Sequence, residues 1–283
     1  MKYNEMSELD LKIVLLGGGS IRVENLNVIP YKLGEIKDYG YTKYMKNLQW
    51  VSLSIDDFIN SVLDLEKKIF LEQEKPNLKT FDFYIKLGGE ELQKSLLRTL
   101  SMIFKTDDIR ILSTGVIAID FVKKGIITID EYGEMTINED VLESIGEDEI
   151  TIITRDNFDD LTTVIKLQNY LEKPKSDKSE ENPVDEETKM LQEHMKKMRE
   201  KVEAKKNRQR QDDGESDIDI SDIISAVSSK SNSINKLNIW ELTLYQLYDE
   251  YARLELIDNY DLSIKAMMAG AEKVDLKHWS SKL

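Results

Sequence analysis

The chain has 283 residues, no cysteine, two histidines and a net charge of −15 from 39 basic and 54 acidic side chains. That length has room for one large or two modest domains. Without cysteine there is no disulfide, thiolate nucleophile or Cys-ligated zinc, and the acid excess as a whole repels nucleic acid and anionic membrane.

The opening stretch, MKYNEMSELD, is acidic and lacks the apolar core of a signal peptide. No run approaches the ~18 apolar residues of a membrane span, so the expectation is a cytosolic protein without a membrane anchor. Leu11–Leu16 reads as a strand, broken by Gly17-Gly18-Gly19-Ser20 and resumed at Ile21–Val23, a glycine-turned hairpin. A phosphate-binding loop would need Lys-Ser/Thr after the glycines; Ser20-Ile21-Arg22 supplies none.

A helix is predicted from Leu33 to about Trp50, with Ile36, Tyr39, Tyr44, Leu48 and Val51 on its apolar face, although Gly34 and Gly40 oppose it. Ser54 reads as the N-cap of a second helix over 55–72, striped by Phe58, Val62, Leu65 and Ile69. Thr80–Leu87 reads as a strand or a helix start, because Phe81, Phe83 and Ile85 alternate. Glu90–Phe104 is helical by its Leu92, Leu96, Leu100 and Ile103 stripe. Then come β-branched runs at 109–111, 116–122, 126–129 and 150–153. Asp156 or Asn157 caps a helix reaching about Tyr170.

The acid pairs at Asp107-Asp108, Asp130-Glu131 and Glu147-Asp148-Glu149 fit no EF-hand pattern and read as solvated turns. No Gly-x-Ser-x-Gly elbow or His-Glu-x-x-His helix is present. His194 and His278 read as solvated or packing residues. The expectation is no enzyme, no catalytic or metal site and no cofactor.

From Lys173 the composition changes. Lys173–Pro183 is a linker by content, and Glu186–Arg210 reads as a charged helix with a short seam of Leu191, Met195, Met198 and Val202, a place for self-association. Its second half carries eight cations between Lys196 and Arg210 but no aromatic to stack a base. A solvated linker helix therefore fits better than nucleic-acid contact. Ile220–Val227 reads as a short apolar helix before the Ser-rich break at Ser228–Ser233.

Two of the three tryptophans and four of the twelve tyrosines fall between Ser233 and Leu283. Trp240, Leu244, Leu247, Tyr248, Tyr251 and Leu254 share one face at helical spacing, with Asn238 as N-cap and Glu241 three residues on. A second helix over Leu262–Met268, after a turn at Asp258-Asn259, would complete a hairpin. One side is expected to pack on Leu262, Ile264, Met267 and Met268, and the other, led by Tyr245, to bind a partner.

The string NIWELTLYQLYDEYARLE at 238–255, then YDLSIKAMMAGA at 260–271 and LKHW at 276–279, resembles the C-terminal part of bacteriophage tail assembly chaperones, encoded beside the tape measure protein in phages of Gram-positive bacteria. The N-terminal layout is similar too: an opening hairpin, GYTKY at 40–44 and TRDNFDDLTTVIKLQN at 154–169. The resemblance implies a non-enzymatic chaperone in the host bacterial cytoplasm that binds the tape measure protein and recruits tail tube subunits. The alternative is a structural virion protein of the tail, neck or baseplate. An RNA-binding regulator using the basic 194–210 stretch is a further rival.

The expected fold class is an α+β N-terminal domain, a charged helical linker and a small C-terminal all-α hairpin. The expected divisions are 1–171, 172–233 and 234–283. The expected partner-binding residues are Trp240, Leu244, Tyr245, Tyr248, Tyr251, Met267, Met268 and Trp279, with no membrane or nucleic-acid partner.

Overall fold

Ser7 and Asp10 decide the first element. The Asp10 amide donates to Ser7 Oγ at 3.1 Å and the Ser7 amide donates to the Asp10 carboxylate at 3.3 Å, a capping box. It starts helix α1 (Glu8–Leu16), whose Leu11 and Leu15, four apart, are buried. This corrects the strand expected at Leu11–Leu16: a reciprocal cap and an i,i+4 apolar pair outweigh the β-branched content. The hairpin comes one element later. Strand β1 (Ile21–Val23) pairs antiparallel with β2 (Leu26–Val28), and their alternate side chains are buried. The computed structural model describes residues 2–130, 133, 135–172, 218–271, 274 and 276–281.

The helix expected over 33–50 is two helices, α2 (Leu33–Tyr39) and α3 (Tyr41–Ser52). Gly40 between them has φ +94°, a conformation that a side chain would strain. The helix expected over 55–72 is also split. Helix α4 (Ile55–Ser61) starts at the Ser54 cap and stops at Val62; α5 (Leu65–Glu74) is capped afresh by Asp64, whose carboxylate accepts the Glu66 and Lys67 amides at 3.0 and 3.2 Å.

A single turn, α6 (Thr80–Asp82), runs into a π-helical stretch over Phe83–Leu87 and then into α7 (Gly89–Phe104). Phe81, Phe83 and Tyr84 are all buried, so the alternation seen in the sequence belongs to helix, not strand. The Tyr84 hydroxyl donates to the Trp50 carbonyl.

Short antiparallel strands follow. Strands β3 (Ile109–Ile111) and β4 (Ile117–Ile119) pair, then β5 (Ile127–Ile129) and β6 (Met135–Ile137) form a separate hairpin. After helix α8 (Glu139–Ser144), strand β7 (Ile152–Ile153) returns to the other side of β4, giving the order β3-β4-β7. Ala118, Phe121, Ile126 and Ile127 make a small second core beneath the hairpin.

Helix α9 (Phe158–Gln168) is the hub of the N-terminal part. Before it, Arg155 Nε donates to both oxygens of buried Asp82 at 3.1 and 2.9 Å, and Arg155 Nη2 donates to the Asn77 carbonyl at 2.6 Å. Asn157 Nδ2 donates to Glu24 at 2.8 Å. At the far end Gln168 Nε2 donates to the Val28 carbonyl at 3.0 Å and the Tyr44 hydroxyl donates to Asn169 Oδ1 at 2.6 Å. One helix thus ties α6, the β1–β2 hairpin and α3 together.

The C-terminal region is helical: α10 (Ile220–Lys230), a 3-10 turn at Ile239–Glu241 and α11 (Leu244–Met268). The expected hairpin is absent. Helix α11 continues through Asp258-Asn259, where no Gly or Pro interrupts it and Asp258 pairs with Lys230 of α10. Asn238, expected to cap the helix, precedes the 3-10 turn without a side-chain capping bond; Thr243 and Gln246 form the capping box of α11. The fold class is α+β in the N-terminal part with a helical C-terminal region. Ile223, Val227, Ile239, Leu244, Tyr245 and Leu247 belong to the same apolar core as Ile21, Leu48, Leu100 and Phe158. The helix expected at 186–210, its seam, its basic half and His194 lie outside the described residues.

Candidate functional site

The aromatic C-terminal segment is largely a latch. The Leu33 amide donates to the Leu242 carbonyl at 2.7 Å, and Lys32 bridges to Thr243 as an isolated antiparallel pair. Lys32 Nζ meets Glu241 at 2.6 Å, and Gln246 Nε2 donates to the Leu16 carbonyl at 2.8 Å, satisfying the end of α1. Gly34 fits this contact closely: a Cβ there would stand 3.2 Å from the Trp240 carbonyl oxygen, tighter than most such contacts. Trp240 is half-buried, its Nε1 donating to the Lys236 carbonyl at 3.0 Å while Lys37 Nζ lies 5.1 Å from its ring centre.

The expected partner-binding residues therefore divide. Leu244 and Tyr245 are buried, at 2% and 6% exposure. Tyr245, expected to point outward, instead meets Tyr170 edge-on at 5.7 Å, and Tyr248 stacks on Tyr170 at 5.0 Å. This is a correction: Tyr245 lies on the face of α11 that closes the core. Burial pushes the Tyr245 and Tyr248 hydroxyls up to about 12, with Asp249 adding to the first and Tyr41 to the second. Trp240, Tyr248 and Tyr251 pack partly buried against the core. Met267, Met268 and Trp279 are exposed, and so is Leu262, which was expected to be packed. The tail folds back over α11, where Arg253 Nη1 donates to the Trp279 and Ser281 carbonyls at 2.8 and 3.0 Å and Tyr260 meets His278 at 5.4 Å.

A concave, mainly apolar surface lies elsewhere. Helices α4, α5 and α7 and the π-helical stretch enclose an open groove of about 880 Å³. Phe58 and Phe83 stack in its floor at 5.0 Å and 7°, joined by Trp50, Leu53, Val62 and Leu92. Helix α5 forms the outer wall and buries none of its own residues. Of α5, Phe70 and Leu71 line it, Phe70 59% exposed and Leu71 packed partly against the core, with Leu87 on the facing wall 51% exposed; Leu65 and Ile69, also exposed, lie outside the lining. Helices of soluble proteins normally bury such a stripe, and contiguous exposed apolar surface marks contact sites. A π-turn in the wall is a feature enriched at functional sites.

The groove is not legible in the sequence because 55–72 reads as one continuous helix, whereas α4 and α5 are separate and wall it from two sides. The available signal was Asp64, a good N-cap in the middle of that run. Among the described residues no three His, Asp or Glu side chains group to hold a metal ion, and no helix is long and apolar enough to cross a membrane.

Residues 205–283 match the family model described as YomV second domain. The matched stretch includes α10, α11 and the latch, and it is similar to that domain over roughly the last quarter of the chain. The likeness points to a phage-related, YomV-like protein. No curated protein and no solved structure matches the chain.

Proposed function

We propose that the protein is a non-enzymatic chaperone of phage tail assembly, acting in the host bacterial cytoplasm, that binds the tape measure protein and recruits tail tube subunits. The resemblance of 238–255, 260–271 and 154–169 to tail assembly chaperones supports this reading, and the likeness of 205–283 to a YomV second domain gives it a phage setting. The observation that carries it is the open groove walled by α5, a helix with no buried residue. A holding chaperone needs an apolar surface that is exposed when unloaded and covered when loaded, and this groove has that form.

The test is co-expression of the tape measure protein of the same phage with and without this chain. Soluble tape measure protein that depends on the chain and co-purifies with it supports the reading. Tape measure protein that stays insoluble, or is equally soluble alone, sinks it.

A second reading, a structural protein of the tail, neck or baseplate, draws on the exposed Met267, Met268 and Trp279, which a permanent interface would cover. It requires the protein to remain in the particle.

A further inference from the structure

We infer that two copies of this chain clasp through α5, each setting its α5 into the groove between α5 and α7 of the other. This deepens the client-holding reading above by giving the same groove a resting cover that a client displaces, and only that last step rests on it.

Helix α5 needs cover on two sides. Lys67, Phe70 and Leu71 line the groove, and at 3.6 residues per turn Leu65 and Ile69 project from the opposite side. Leu65 is 70% exposed, Ile69 49% and Phe70 59%, and no residue of α5 is buried. A helix of 10 residues is marginal in water without a packed face. Its side-chain ties to the neighbouring elements are polar and exposed: Lys68 Nζ donates to Asn60 Oδ1 at 3.0 Å, and Lys75 pairs with Asp56.

A client laid in the groove would cover the inner side of α5 alone. A second copy covers both sides. Reciprocal insertion about a two-fold axis stacks the helices in the order α7, α5 of the second copy, α5, α7 of the second copy. The inner sides then meet at Phe70 and Leu71 of the two copies. Each outer stripe of Leu65 and Ile69 meets the facing wall of the other copy, where Leu87 and Leu92 lie.

The charges fit this occupant. Two acids, Asp57 and Glu91, and two bases, Lys67 and Lys86, line the groove. A balanced lining draws no partner of either sign, and it sets no local opposition against a second copy of a chain at −15. Lys68 and Glu72 flank the outer stripe while Lys86 and Glu91 lie on the facing wall, one charge of each sign on both surfaces. Exposed pairs of that kind contribute little. The mutual repulsion of two −15 chains therefore governs the salt response, and screening it tightens the pair.

The experiment is sedimentation equilibrium of the full chain. The expected result is a dimer with a roughly micromolar dissociation constant, about tenfold tighter at high salt than at low. Ile69→Glu and Phe70→Glu should each give monomer with circular dichroism unchanged, since both side chains are exposed. Because the chain has no cysteine, a second measurement avoids any added charge. Ile69→Cys and Leu87→Cys chains, one of them tagged, are mixed and treated with a short bis-maleimide. They should cross-link to each other, whereas Met268→Cys should not cross-link to Leu87→Cys.

A chain that stays monomeric, a dimer that either Glu substitution leaves intact, a dimer that salt loosens, or the absence of the mixed cross-link overturns the proposal. These readouts use the chain alone. Failure of the tape-measure solubility test would leave them standing, and their failure would leave that test to be judged by itself.

Discussion

Tyr245, 6% exposed, sits on the face of α11 that closes the core. Its size and helical spacing mark a residue that must find an apolar contact. Spacing alone does not say whether that contact is inside the chain, and here it is Tyr170, which follows α9 and lies far away in sequence. We expect Tyr245→Ala to destabilise the fold by about 3–4 kcal/mol, the cost of deleting a buried aromatic. Met268→Glu, at an exposed position, should change stability by less than about 0.5 kcal/mol; thermal or urea unfolding of both variants checks the contrast. The buried tyrosines also set an alkaline limit. Their hydroxyls have ordinary values of 10.0 and are raised to about 12 in Tyr31, Tyr245 and Tyr248, mainly by burial. A raised value means the folded state holds the proton more tightly. The stabilisation is complete below pH 10 and is lost as pH rises toward 12. Melting temperature should fall across that window, and less steeply in Tyr245→Phe. A flat profile would show that these hydroxyls stay solvated.

At the scale of the element, most helices were legible because caps and apolar stripes are local signals. Ser54, Asn157 and the stripe of α7 lie where the sequence placed them. The errors have local physical causes. Gly40 divides one expected helix by its positive φ, and Asp64 divides another by capping it afresh. The continuous α11 was misread because Asp258-Asn259 resembles a turn, yet both residues tolerate helix when the flanking residues pack. The latch was not legible at all. It depends on Leu33, Gly34 and Leu16 meeting residues 240–246, across more than two hundred positions. Gly34→Val tests it, since even one added carbon meets the Trp240 carbonyl oxygen at 3.2 Å. We expect a loss of about 1–3 kcal/mol and raised Trp240 emission wavelength as the ring is exposed. An unchanged spectrum and melting curve would mean that the latch contributes little.

For the whole molecule, the motifs carrying the family resemblance turn out to be largely scaffold. Arg155, Asn157 and Asn169 of the 154–169 stretch hold α6, the hairpin and α3, and the 240–251 stretch closes the core. The α+β class was legible from periodicity, whereas the candidate groove needs four elements in register and was not. Expected boundaries at 171 and 234 fall on either side of a core that both ends build. A specific protease site inserted between Pro183 and Val184 should therefore yield two fragments that co-elute as one species without denaturant. Separate elution would show two independent modules.

A chaperone that holds its client through an exposed apolar groove, as proposed above, leaves before the particle is complete. Quantitative mass spectrometry of purified virions, set beside the infected-cell lysate, tests it most directly. Abundant protein in the lysate and none above background in virions is expected. Stoichiometric protein in virions would contradict it and favour the structural reading.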